Sequence, residues 1–317
     1  MKSFLLGSAL ISVLAGAGRV PPPRVDHHQH IFSPTLAQML SATSISGADV
    51  VALLDSAGIH RALLLSTAYI FSSPHRTVAD EYAKVRAEND WTGAQAALFP
   101  DRLRAFCSVN PLRDYALDEI ARCAKDPRLR HGLKLHFGNS EVDYHDPVEI
   151  EKVRRVFRAA NAHRMAIVVH MRASISKGLP YGADEGRIFL NELLPAAPDV
   201  PVQIAHLCGS AGYRDRDSTV DAAMEVFADA IEKHDPRTRR LWFDVTTVVD
   251  SSTTSEEAAL IVHRIRQVGV GRVLYGSDAH ARGNLAPREG WAMFRRLPLT
   301  DAEFRTIANN VAPFMRW

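Results

Sequence analysis

The sequence predicts an α/β fold, a closed (β/α)8 TIM barrel. Two observations carry the prediction. Eight short apolar runs alternate with amphipathic helical stretches, and 317 residues pass with no repeat, charge block or linker to divide them. Barrels of this kind reach such a length as one domain. An open doubly wound sheet shows the same alternation, but it usually carries a glycine-rich phosphate loop after its first strand. DHHQHIFSP at 26–34 is nothing like one.

The strands are expected at 24–28 (RVDHH), 61–68 (RALLLSTA), 103–110 (LRAFCSVN) and 132–137 (GLKLHF). They continue at 165–171 (MAIVVHM), 201–207 (PVQIAHL), 241–248 (LWFDVTTV) and 272–278 (RVLYGSD). Several are continuously apolar, as parallel strands buried on both faces are. The intervening helices show a 3.6-residue period. Val153, Val156, Phe157 and Ala160 share one face, and Ala258, Ile261, Val262 and Ile265 share another. The latter helix opens on Thr254-Ser255-Glu256-Glu257, a capping-box pattern.

Composition bounds the function. Apolar residues make up 46% and charged residues 23%, ordinary values for a soluble globular chain. The 38 basic and 36 acidic residues nearly cancel, so no strong field favours nucleic acid or an anionic membrane. Residues 1–17, MKSFLLGSALISVLAGA, have the build of a secretory signal: Lys2, an apolar run from Phe4 to Leu14, and small residues at 15–17. That run is too short and glycine-spotted for a membrane span. The mature protein is then a single domain over 18–317, periplasmic or secreted, or cytoplasmic if the segment is no signal. Cys107, Cys123 and Cys208 are odd in number and widely spaced, so they read as small buried apolar residues rather than a disulfide framework.

The polar residues fall at strand ends. Side chains alternate along a strand, so Asp26, His28 and His30 share one direction. A barrel brings His28 and His30 to its C-terminal mouth, where barrel enzymes keep their chemistry. The runs MAIVVH, VQIAH and VLYGSD stop at His170, His206 and Asp278 on the same rim. Any one such histidine is more often structural. Their convergence on one mouth favours a metal, because zinc takes imidazole nitrogens and carboxylate oxygens and keeps a position for water.

These motifs resemble those of the amidohydrolase superfamily, in particular the amidohydrolase-related group of hydrolases, lactonases and non-oxidative decarboxylases. The resemblance rests on D-x-H-x-H at 26–30, the histidines ending the fifth and sixth strands, GSD at 276–278, and the tail TIANNVAPF at 306–314. It implies that His28, His30, His170 and Asp278 bind one divalent metal, usually zinc. It also implies that His206 stands beside the metal to polarise substrate or activate water. A homodimer is typical of relatives.

Lys134 and His136 share a face of the fourth strand and are expected to line the lumen. Lys134 reads as an ammonium paired with a carboxylate or a substrate anion, in preference to a carboxylated bridge between two metals. Arg172, two residues past His170, reads either as a clamp for a substrate carboxylate or as a solvated loop arginine, and Tyr181 as part of a lid or pocket wall or as a packing residue. Asp26 is expected to support the site from below, and His280 lies close to the rim.

The leading expectation is a metal-dependent hydrolase of a small lactone, ester or amide. Metal-activated water would attack the carbonyl, His206 would help stabilise the oxyanion, and Asp278 would shuttle the proton. The alternative is a metal-dependent non-oxidative decarboxylase in which Asp278 or His206 protonates the carbon that loses CO2. A barrel that binds its ligand without turnover comes last, since the ligand set is unbroken.

Overall fold

A computed structural model describes residues 20–210, 212–213, 219–279 and 284–316. The expected signal segment at 1–17 and His280 lie outside the described residues.

Eight parallel strands form one sheet in sequence order: β1 (Val25–Gln29), β2 (Arg61–Leu65), β3 (Leu103–Ser108), β4 (Gly132–His136), β5 (Ala166–His170), β6 (Val202–Ile204), β7 (Leu241–Asp244) and β8 (Val273–Leu274). Helices follow every strand, among them Gly47–Ala57, Glu81–Ala97, Ala116–Lys125, Pro147–Ala162, Thr219–Glu232 and Ser255–Val268. The seam closes by backbone hydrogen bonds from His27 N to Tyr275 O (2.9 Å) and from Asp278 N to His28 O (2.7 Å). This is the (β/α)8 barrel.

Period-two alternation divides the core. Leu133, Leu135, Ile167, Val169, Ile204 and Phe243 face the helices, and Val153, Val156 and Phe157 come down on that layer. The alternate residues Leu63, Leu65, Phe106, Val168 and Leu274 fill the lower lumen together with Ala312, Phe314 and Met315 of the C-terminal segment. The tail at 306–314 is helical only to Asn309; beyond it the chain enters this lower layer. The capping box of the Ser255–Val268 helix forms as expected, Glu257 N donating to Thr254 Oγ1 and Thr254 N to Glu257 Oε2.

Three expectations need correction. The sixth strand stops at Ile204 rather than 207, because His206, Leu207 and Cys208 all take left-handed backbone conformations (φ 56°, 45° and 72°) that no strand accommodates. β1 does not alternate strictly: a register shift against β2 between Asp26 and Gln29 places one extra residue there. Finally, Cys107 on β3 and Cys123 on the Ala116–Lys125 helix are joined in a disulfide, and Cys208 alone is the buried free thiol.

Candidate active site

The C-terminal mouth of the barrel holds a cavity of about 780 Å³. At its floor stand His28, His30, Lys134, His136, His170, His206 and Asp278. Sequence separations of up to 250 residues collapse onto one rim because these side chains end or follow five strands, β1, β4, β5, β6 and β8.

The local backbone is built for this. Asp26 ties β1 to the segment after β8, accepting from Ser277 N (3.0 Å), Ser277 Oγ (2.6 Å), Gln29 Nε2 (2.8 Å) and His28 N (3.1 Å). Burial still raises its carboxyl to about 6, against those hydrogen bonds. Gly276 is required by close approach, since a Cβ there would lie 2.7 Å from His28 Cβ and 2.3 Å from Thr246 Oγ1. His206 and Asp278 both have φ above 50°, in the left-handed region that costs a non-glycine residue energy. Such strain, gathered where two strands end, marks a site that the surrounding fold holds in place.

Three histidines present the same nitrogen to the cavity. His28 Nδ1 lies 3.1 Å from Asp244 Oδ2, His30 Nδ1 2.6 Å from Leu65 O, and His206 Nδ1 2.9 Å from Thr246 O. These partners are acceptors, so each Nδ1 carries the hydrogen and each Nε2 keeps a lone pair. Burial lowers the pKa of every one of them, His28 to about 3, so all are neutral and fit to ligate. His136 is set the other way. Its Nδ1 accepts from Asn139 N at 3.0 Å, which leaves the hydrogen of the neutral ring on Nε2 as a donor. Its ring stacks on His170, 3.9 Å between centroids.

Donor atoms of His28, His206 and Asp278 all lie within 4.8 Å of one another, and His30 Nε2 is 3.6 Å from Asp278 Oδ1. That oxygen is buried and has no hydrogen-bond partner. An orphaned carboxylate oxygen among imidazole lone pairs is the donor set a divalent cation takes, so the residues present fit the group. The tightest cluster contains His206, whereas the resemblance implied His170 as a ligand. His170 lines the same cavity beside it, its ring 5.1 Å from that of His206.

Lys134 is 1% exposed, and its Nζ is 3.4 Å from His28 Nε2. Burial pulls its ammonium down to about 8, against the attraction of Asp244 and Asp278. Burial likewise pushes the Asp278 carboxyl up to about 7, against the Lys134 charge.

Sequence reasoning missed Asp244. It accepts from His28 Nδ1, from Gln203 Nε2 (2.6 Å), and from His206 N (2.8 Å). Burial works against its charge, yet the His28 and His206 contacts hold its carboxyl well below the usual range. The signal was present: LWFD at 241–244 is another apolar run ending in a carboxylate.

Arg172 and Tyr181 are not brought to the cavity. The Arg172 guanidinium stacks over the Tyr181 ring at 4.5 Å, and Tyr181 OH donates to Cys208 O at 2.5 Å. β5 ends at His170, so the alternation that would aim Arg172 into the lumen has already stopped.

A family model described as Amidohydrolase matches residues 25–310. Among solved structures, the barrel is similar to 5-carboxyvanillate decarboxylase from Sphingomonas paucimobilis (TM-score 0.63, 15% identity, covering 94% of this chain and 99% of that one). It is also similar to the manganese-bound 5-carboxyvanillate decarboxylase of Novosphingobium aromaticivorans (TM-score 0.59, 12% identity, 95% and 98%). A third is a probable 2-pyrone-4,6-dicarboxylic acid hydrolase from Acinetobacter baumannii with citric acid bound (TM-score 0.56, 14% identity, 89% and 95%). Identities at this level establish a shared fold. No curated protein matches the chain.

Proposed function

The chain belongs to the amidohydrolase family, and from that premise we propose that it is a metal-dependent non-oxidative decarboxylase of a small carboxylic acid. The observation that carries this reading is Lys134. A lysine ammonium enclosed in the floor of the cavity favours an anionic group over the neutral carbonyl of an ester or lactone. Two decarboxylases among the similar structures support it.

His28, His30, His170, His206 and Asp278 are the side chains that would hold a divalent cation. Bound there, zinc or manganese would supply Lewis-acid stabilisation of negative charge on substrate oxygens. The remaining work falls to the chain. Lys134 Nζ and His136 Nε2–H donate to the oxygens of the acid and fix its orientation. The apolar wall from Phe32, Ile45 and Ile70 limits water, which favours conversion of a charged carboxylate to neutral CO2. The bond from carbon to carboxylate breaks, its electron pair remains on the carbon, and that carbon takes the proton from the Asp278 carboxyl. Solvent then returns a proton to Asp278.

Hydrolysis of a lactone, ester or amide is the second reading, favoured by the pyrone hydrolase among the similar structures. It would use the same rim, with Asp278 accepting the proton of the attacking water. A panel of hydroxybenzoates with Mn2+ or Zn2+ separates the two. In D2O the decarboxylase releases one CO2 per turnover and leaves one deuterium on the vacated carbon. Incorporation of 18O from labelled water, with no CO2, would overturn the proposal in favour of hydrolysis.

A further inference from the structure

The cavity is larger and more divided than its reactive floor requires. Its volume of about 780 Å³ falls within the range, about 300–1,000 Å³, that encloses drug-sized ligands. The inner end is polar and belongs to the strands. The outer end is apolar, built by Phe32, Leu40, Ile45 and Ile70, with Ala42 beside them and Arg76 at the rim.

That outer wall is preformed. Phe32 and Ile45 make an antiparallel bridge, with Phe32 N to Ile45 O at 3.2 Å and Ile45 N to Phe32 O at 3.0 Å. Ser44 Oγ donates to Phe32 O at 2.8 Å, and Ser33 N donates to the buried Glu88 at 3.1 Å. Between these anchors the Pro34–Leu40 helix buries Leu36 against Phe71. Arg76, which lines the same cavity from the segment after β2, stands in a turn closed by its own N–H to Ser73 O (3.0 Å). Glu141, the acid bonded by the adjacent His75 (2.6 Å), is also taken by Lys177 (3.2 Å), and Arg76 forms no ion pair among the described residues.

We propose that the outer half of the cavity is a second binding subsite, for the far end of a two-ended acid. An apolar spacer lies along Phe32, Leu40, Ile45 and Ile70, and a second carboxylate reaches Arg76. The subsite rests on the reading that the floor takes a carboxylate, and it adds the length and the second charge of the substrate. A guanidinium at the far end of an apolar channel discriminates by charge and distance together, because a carboxylate there gains paired hydrogen bonds that a neutral terminus does not.

Calorimetric titration of the full chain tests this with three probes: benzoate, 4-phenoxybenzoate and 4,4'-oxydibenzoate. The expected order is about tenfold tighter binding for the second ring and about tenfold again for the second carboxylate. Arg76→Ala, at an exposed position, is expected to erase the second gain and keep the first. Ala42→Trp is expected to erase both and leave benzoate unchanged. Benzoate binding with neither gain, or a dicarboxylate gain that survives Arg76→Ala, overturns the subsite and leaves the floor reading standing. Failure of all three acids to bind overturns both.

Discussion

His28 Nδ1 and Asp244 Oδ2 lie 3.1 Å apart, with both side chains fully enclosed. The pair joins the first strand to the seventh and decides which nitrogen of His28 meets the cavity. Asp244 also holds the backbone N–H of His206 at the start of its left-handed turn. One carboxylate therefore orients two imidazoles. Its role is indirect, through the side chains it positions.

Replacing Asp244 by asparagine leaves the volume and removes the charge. The amide cannot accept from Gln203, His28 and His206 together, so His28 loses its fixed tautomer. Metal affinity is expected to fall about 10–100-fold, the usual cost of losing a partner of a ligating histidine. Chelator competition against Mn2+ or Zn2+ measures it. Unchanged affinity would remove Asp244 from the positioning role.

Asp278→Asn separates proton transfer from binding. The orphaned Oδ1 and the position beside His30 remain occupied by a similar shape, but no proton can be given up. Turnover is expected to drop about 10²–10⁴-fold. The Kd for a carboxylate that binds wild type should stay within about threefold, since Lys134 and His136 still donate. Loss of binding in step with turnover would mean that Asp278 acts through holding the metal rather than by giving up the proton.

These two aspartates mark what the sequence made legible. Strand order, helix faces and the rim histidines could be read because period-two and period-3.6 patterns report burial directly, and a lone polar residue ending an apolar run stands out. Asp244 ended such a run too, but the expected strand extended to 248 and hid the ending. His28 was assigned by plain alternation, whereas the register shift in β1 is what lets His27 turn to Tyr275 O while His28 faces the metal-competent cluster. The left-handed residues after β6 and β8 are not glycines, the residue type that would have announced such turns. Nor does cysteine spacing tell which residues face one another across a strand and a helix.

Lys134 gives a stability test in protein stripped with chelator. Its folded pKa is lowered from 10.5 to about 8, chiefly by burial. Below about 8 both folded and unfolded chains hold the proton, and the buried charge is a full cost. Between about 8 and 10.5 the unfolded chain binds a proton that the folded chain does not, so stability rises with pH across that window. Lys134→Met is therefore expected to melt a few degrees higher than wild type at neutral pH, with the gap narrowing as pH rises toward 10. The variant is also expected to lose turnover. Parallel melting curves over that range would contradict an enclosed ammonium.

The Cys107–Cys123 disulfide links β3 to the helix that follows it, with 16 residues of separation. Glu119 stands beside it, accepting from Asn89 at 2.7 Å and from Arg122 at 2.8 Å, so the bridge has a hydrogen-bonded carboxylate for a neighbour. The chain has three cysteines, and Cys208 is the remaining buried thiol. Denatured protein should then show one titratable thiol without reductant and three with it. Closing a loop of this size restricts the unfolded chain by about 3 kcal/mol, so replacing both cysteines with alanine should lower the Tm by roughly 6 °C. Such a bridge persists in an oxidising compartment and is lost to reduction in a reducing one. Three thiols without reductant would overturn the bridge, leaving Cys107, Cys123 and Glu119 as a buried triad of donors.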